Sequence, residues 1–157
     1  MLWMGTAGPL PVRARTPPGS DPDPALGYAC VEEVAAEAPV RKRFSSLHVV
    51  YVGSHEGCGC GFESNGLDFD GVESTEVALE LLGAMTETEQ AEFLAEQRSR
   101  AWLRAMVESA RADGPVELFA CWAGDEGEPA LHEHVIEPAD LTSKTAPLIE
   151  RAHYLVR

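Results

Sequence analysis

Two runs stand out from the mixed apolar and polar pattern of this chain: Leu47–Gly53, LHVVYVG, and Val116–Ala123, VELFACWA. Each is apolar at nearly every position, which marks a strand buried on both faces rather than one with a wet side. In the second run Val116, Leu118, Ala120 and Trp122 share one face, with Glu117, Phe119, Cys121 and Ala123 on the other. Leu2–Val12 begins as a short strand, then meets Pro9 and Pro11, which confine it to an edge or an extended arm. A further apolar–polar stretch, GYACVEEVA, surrounds Cys30. Leu131–Glu137 reads as a strand with His132, His134 and Ile136 on one face, and Leu148–Val156 as a last strand.

Between the two buried runs the period changes to that of helices. Ser74 is a fitting N-cap for EVALELLG, which Gly83 ends. Thr86-Glu87-Thr88-Glu89 fits a capping box that opens a longer helix, running to about Ala112. Gly114-Pro115 stops it. Leu94, Ala101 and Ala105, with the parallel row Leu103, Val107 and Ala110, supply an apolar stripe. Glu87, Glu89, Glu92 and Glu96 lie in the first turns, where the helix dipole favours acid. After Trp122 the GDEGEP segment predicts a hairpin connection.

The resulting order is three strands, helices, three strands. It predicts an α+β domain, or a mixed-sheet α/β one, with one central sheet of about five or six strands and two consecutive helices packed on one face. The 157 residues suit a single domain, 1–157, interrupted by an irregular proline-rich loop at 16–25, TPPGSDPDPA. If the strands around His48 and Val116 run parallel in one sheet, their C-terminal ends share an edge, where open α/β sheets bind ligands.

Charge narrows the partners. There are 26 acidic and 12 basic residues, a net charge of −14, concentrated after residue 50. Residues 51–100 alone carry eleven acids against two bases. Such a field repels phosphate backbones and anionic membranes, so neither nucleic acid nor membrane is expected as a partner. Small-molecule, protein and homo-oligomeric partners stay open. The opening MLWMGTAGPLPVR has no basic residue before a short apolar segment, unlike a signal peptide, so a cytoplasmic location is expected. Cys30, Cys58, Cys60 and Cys121 are then expected as thiols or thiolates.

The densest chemistry lies in Gly53–Phe62, GSHEGCGCGF, immediately after the first buried run. Taken as a metal site, it offers His55, Cys58 and Cys60, completed by some of Cys121, His132 and His134 if the strands bring them to one edge. Zinc takes four nitrogen or sulfur ligands, and reduced cysteines suit it. Three other readings compete. His55 could serve Cys58 or Cys60 in thiol-dependent enzymatic or redox chemistry. The glycines could form a sharp reversal with small thiols filling space, the chain acting as an acidic protein–protein interaction domain through its glutamate-rich helix. An anion-cradling loop fits least, since no Lys-Ser/Thr pair or helix follows the glycines.

YVGSHEGCGCGF (Tyr51–Phe62) and VELFACWAGDE (Val116–Glu126), with the opening LWMGTAGPLP, resemble a group of small uncharacterised bacterial proteins sharing a G-S-H-x-G-C-G-C-G-F loop and an E-L-F-A-C-W strand. The resemblance covers nearly the whole chain. It implies a compact bacterial domain and carries no activity, cofactor or site residue with it.

Overall fold

Six strands make one mixed sheet: β1 (Leu2–Thr6), β2 (Tyr28–Glu33), β3 (His48–Ser54), β4 (Val116–Ala120), β5 (His132–Ile136) and β6 (Ala152–Val156). Their spatial order is β2-β3-β1-β4-β6-β5, antiparallel throughout except for the parallel β5–β6 pair. This computed structural model describes residues 1–13, 28–59, 62, 83–142 and 148–157. The proline-rich stretch 16–25 and the first expected helix, 75–82, lie outside them.

β1 is central, not the edge strand or arm expected from its prolines. The strand ends at Thr6, before Pro9 and Pro11, so neither proline interrupts a ladder. Leu2 faces Val52 of β3 on one side and Ala120 of β4 on the other. β3 and β4 therefore run in the same direction with β1 between them. Their C-terminal ends share one edge of the sheet, as expected, but they are not neighbours. A second insertion separates β4 from β5: β6 takes the place beside β4 that a hairpin would have given to β5.

Both faces of the central strands are covered, and β3 and β4 are buried almost end to end. On one face lies α1 (Glu87–Ala110), continued by a 3₁₀ turn at Arg111–Asp113. It is the one complete α-helix among the described residues, where the pattern predicts two. Thr86 and Glu89 form the expected capping box, and Gly114, at φ 147°, ends the element. Leu103, Val107 and Ala110 pack on Leu2, Met4, Val50, Val52, Leu118 and Tyr154. The other expected row faces away: Leu94, Ala101 and Ala105 are exposed. The stripe instead continues through Ser99 and Arg100, both buried.

The opposite face is covered by the β2–β3 connection, whose 3₁₀ turn Pro39–Arg43 buries Val40 against Trp3, Tyr51, Phe119 and Cys121. Trp3 and Tyr51 meet edge to face with centroids 5.1 Å apart. Trp122, read as core, is 54% exposed, because β4 ends at Ala120 and a turn follows. Thr86→Ala removes the cap from α1, whose N-terminal turns are exposed. The expected loss is about 1 kcal/mol, or roughly 3 °C in the thermal midpoint, measured by circular dichroism.

Candidate functional site

The Gly/Cys-rich loop leaves β3 at the shared edge and is fastened at both ends by consecutive residues of α1. Ser99 Oγ accepts the His55 backbone N–H at 3.1 Å and lies 2.9 Å from His55 Nδ1. Arg100 Nη2 donates to the Phe62 carbonyl at 3.0 Å. Both side chains are buried in the helix–sheet interface, where an apolar residue would be the ordinary occupant. Inside the loop, Ser54 N donates to Cys58 O at 2.7 Å and Gly57 N to Ser54 O at 2.9 Å. Gly57 sits at φ 75°, the left-handed conformation that this reversal requires.

Between the two fastenings the loop lies on β1. A Cβ on Gly59 would stand 2.6 Å from Leu2 N and 2.7 Å from the Met1 carbonyl carbon, so only glycine permits this approach. The sulfur of Cys58, half-buried, is 3.6 Å from Glu56 Oε2. Burial lowers the His55 pKa below its ordinary 6.5, with Arg98 acting in the same sense and Glu56 and Glu92 opposing. Its imidazole is neutral at pH 7. Cys60 lies outside the described residues.

The remaining expected ligands are elsewhere. Cys121 follows β4 directly at the same edge, with its N–H bonded to Met1 O. Its side chain, 3% exposed, belongs to the cluster with Trp3 and Phe119, and burial pushes its thiol pKa up. Cys30, not one of the expected ligands, is buried too, its sulfur against Gly53 at the start of the loop. His132 and His134 lie on β5, four strand spacings or about 19 Å from β3. The hairpin that was to bring them to the loop is opened by β6. No group of three or more histidine, cysteine or acidic side chains placed to hold a metal occurs among the described residues.

Two serine–histidine arrangements can be set aside on geometry. Ser99 touches His55, but its hydroxyl has no access to solvent and could not attack a substrate. On the other face, Ser46, Glu117 and His153 are assembled in the wrong order. The Glu117 carboxylate accepts from Ser45 N, Ser46 N and both hydroxyls, and His153 Nε2 lies 3.6 Å from that carboxylate, so the histidine reaches neither serine directly. This is a latch holding the β2–β3 connection on the sheet. Ser99, Arg100 and Glu117 were not singled out by sequence reasoning. Their common signal is a polar residue where the apolar period expects a hydrophobic one.

Comparisons with protein-family models, with curated proteins and with solved structures returned no match. The site is therefore read from its own geometry. No helix among the described residues is long and apolar enough to cross a membrane.

Proposed function

We propose that the Gly53–Phe62 loop is a binding site for a zinc-type divalent metal. The observation that supports it most is the double fastening: two adjacent buried polar residues of α1 are committed to holding the loop that carries Cys58. Buried polar side chains cost stability unless paired; here Ser99 pairs with the loop, and Arg100 with both the loop and Glu96, one helical turn earlier at 3.8 Å. A simple reversal needs glycines but not that investment.

The donor chemistry agrees. If Nδ1–H donates to Ser99 Oγ, His55 keeps its lone pair on Nε2, the tautomer and orientation that an outer partner confers on a ligating histidine. Its lowered pKa keeps that nitrogen free of a proton at neutral pH. Cys58 supplies a sulfur and Glu56 an oxygen beside it. A bare thiolate is repelled by that carboxylate, while a dication between the two satisfies both. This weighs against an activated thiol and for a metal. Cys60, two residues on in sequence, is the second thiolate of the proposed set. Cys121 is left in the core.

Elemental analysis of freshly purified protein tests this. The parent is expected to hold about one zinc per chain at the loop, and Cys58→Ser to lose it, with thermal unfolding showing that the variant still folds. Equal metal in parent and folded variant, or no metal in the parent after zinc loading and desalting, overturns the assignment.

A further inference from the structure

β5 closes one side of the sheet, and among the described residues nothing pairs with its outer edge. His132 N donates to Arg151 O at 3.3 Å and Arg157 N to Ile136 O at 2.9 Å. The even-numbered residues of β5 thus serve β6, and the N–H and C=O groups of Glu133 and Val135 point outward, since a parallel ladder engages alternate residues. Lysine, proline and bulges, the usual protections of an edge, are all missing from His132–Ile136. The protection that exists is the charge of Glu133. Val135 and the adjacent Leu131 are 59% and 62% exposed.

We propose that β5 is a zinc-dependent seam between two copies of this chain, paired antiparallel about a two-fold axis at Glu133. In that register His132 stands opposite His134 of the second copy, and His134 opposite its His132. Directly opposed side chains in an antiparallel pair have Cβ atoms about 5 Å apart, and alternate residues on one strand about 7 Å. Four imidazoles then ring one point on the face shared with Ala152 and Tyr154, a four-nitrogen set that suits zinc. The ring of His134 is already held, stacked on Tyr154 at 5.1 Å and 23°, with the Tyr154 hydroxyl fixed by Ile149 N–H. His132 lies over it at 6.3 Å and 27°. On the other face Val135 meets Leu131 of the second copy, covering two exposed apolar side chains.

The same register sets Glu133 against itself, and like charges directly opposite are unfavourable. Two chains of net charge −14 also repel at longer range. These terms keep the metal-free chains apart, and a dication bound by four neutral imidazoles offsets them. Pairing about His134 instead would place Glu133 across from Val135, but it leaves His132 and its symmetry mate too far apart to share one ion. The seam uses no residue of the loop site and stands apart from that reading.

Sedimentation velocity with EDTA or with zinc chloride, on Cys58→Ser to remove the loop's contribution, is the test. The expected result is a monomer in EDTA and a doubled mass in zinc. His132→Ala and His134→Ala, each exposed and each folded by circular dichroism, are expected to stay monomeric in zinc. Glu133→Thr is expected to tighten the zinc dimer severalfold. No doubling in zinc overturns the proposal, as does a zinc dimer that survives the His132→Ala, His134→Ala double variant or is weakened by Glu133→Thr. A loop site that fails to bind metal leaves all of these outcomes unchanged.

Discussion

Glu117→Ala is expected to lower stability by about 3 kcal/mol and the thermal midpoint by about 9 °C. The carboxylate is 6% exposed and accepts from two backbone N–H groups and two hydroxyls of Ser45 and Ser46, with His153 beside it. Alanine leaves those donors without an acceptor and frees the β2–β3 connection from the sheet. Glu117→Gln keeps one acceptor oxygen and is expected to lose about 2 kcal/mol. Acid separates charge from shape. Burial alone would raise the Glu117 pKa, but the hydrogen bonds from Ser46 and Ser45 bring it below its ordinary 4.5. A carboxyl held low in the folded chain contributes stability that is present above the unfolded value and is lost as pH falls towards the folded one. Urea titrations between pH 7 and 3 should therefore show the parent converging on Glu117→Gln below about pH 4.5. Parallel curves would mean that the charge is not what holds the latch.

That latch shows where sequence patterning stops. The double-faced burial of β3 and β4 is legible because LHVVYVG and VELFACWA admit no wet side, and the start of α1 because a capping box is a local device. The remaining strands leave weaker marks: β5 is exposed at all but its last position, and β2 shows only as an apolar–polar stretch around Cys30. The strand order cannot be read this way. β1 enters between β3 and β4, and β6 between β4 and β5, through pairings that span most of the chain and leave no mark on local composition. GDEGEP has turn chemistry, so it reads as a hairpin, and only the neighbour's identity shows otherwise. Trp122 continues the alternation of β4 by one more step, but the strand has already ended.

The candidate site divides along the same line. His55 and Cys58 are visible because the loop is compositionally unusual, and the parallel course of β3 and β4 does carry Cys121 to the same edge. The contacts that fasten the loop are supplied from far away in sequence, by Ser99 and Arg100. On a helical wheel they look like flaws in an apolar stripe. Their position in that stripe, one pointing to each end of the loop, is what gives the flaw a meaning. His132 and His134 fall away from the loop for a topological reason, and that reason places them on a free edge.

Gly59→Ala carries the second large effect and tests the seat of the loop directly. The added methyl would meet the Leu2 nitrogen at 2.6 Å and the Met1 carbonyl carbon at 2.7 Å, and both belong to the backbone at the start of the central strand. Neither can swing aside as a side chain would. The loop must lift from β1, or β1 must shift between β3 and β4. The expected loss is about 3 kcal/mol, the upper range for overpacking, because the obstacle is main chain. Gly57→Ala provides the contrast. Its φ of 75° makes the cost conformational, about 1 kcal/mol. If the loop holds metal, Gly59→Ala is also expected to lose it, because lifting the loop moves Cys58 while Ser99 keeps His55 in place. Thermal unfolding and zinc content measured on the same preparations read both effects. A Gly59→Ala protein as stable as the parent would mean that the loop does not rest on β1, and the site's geometry would have to be redrawn.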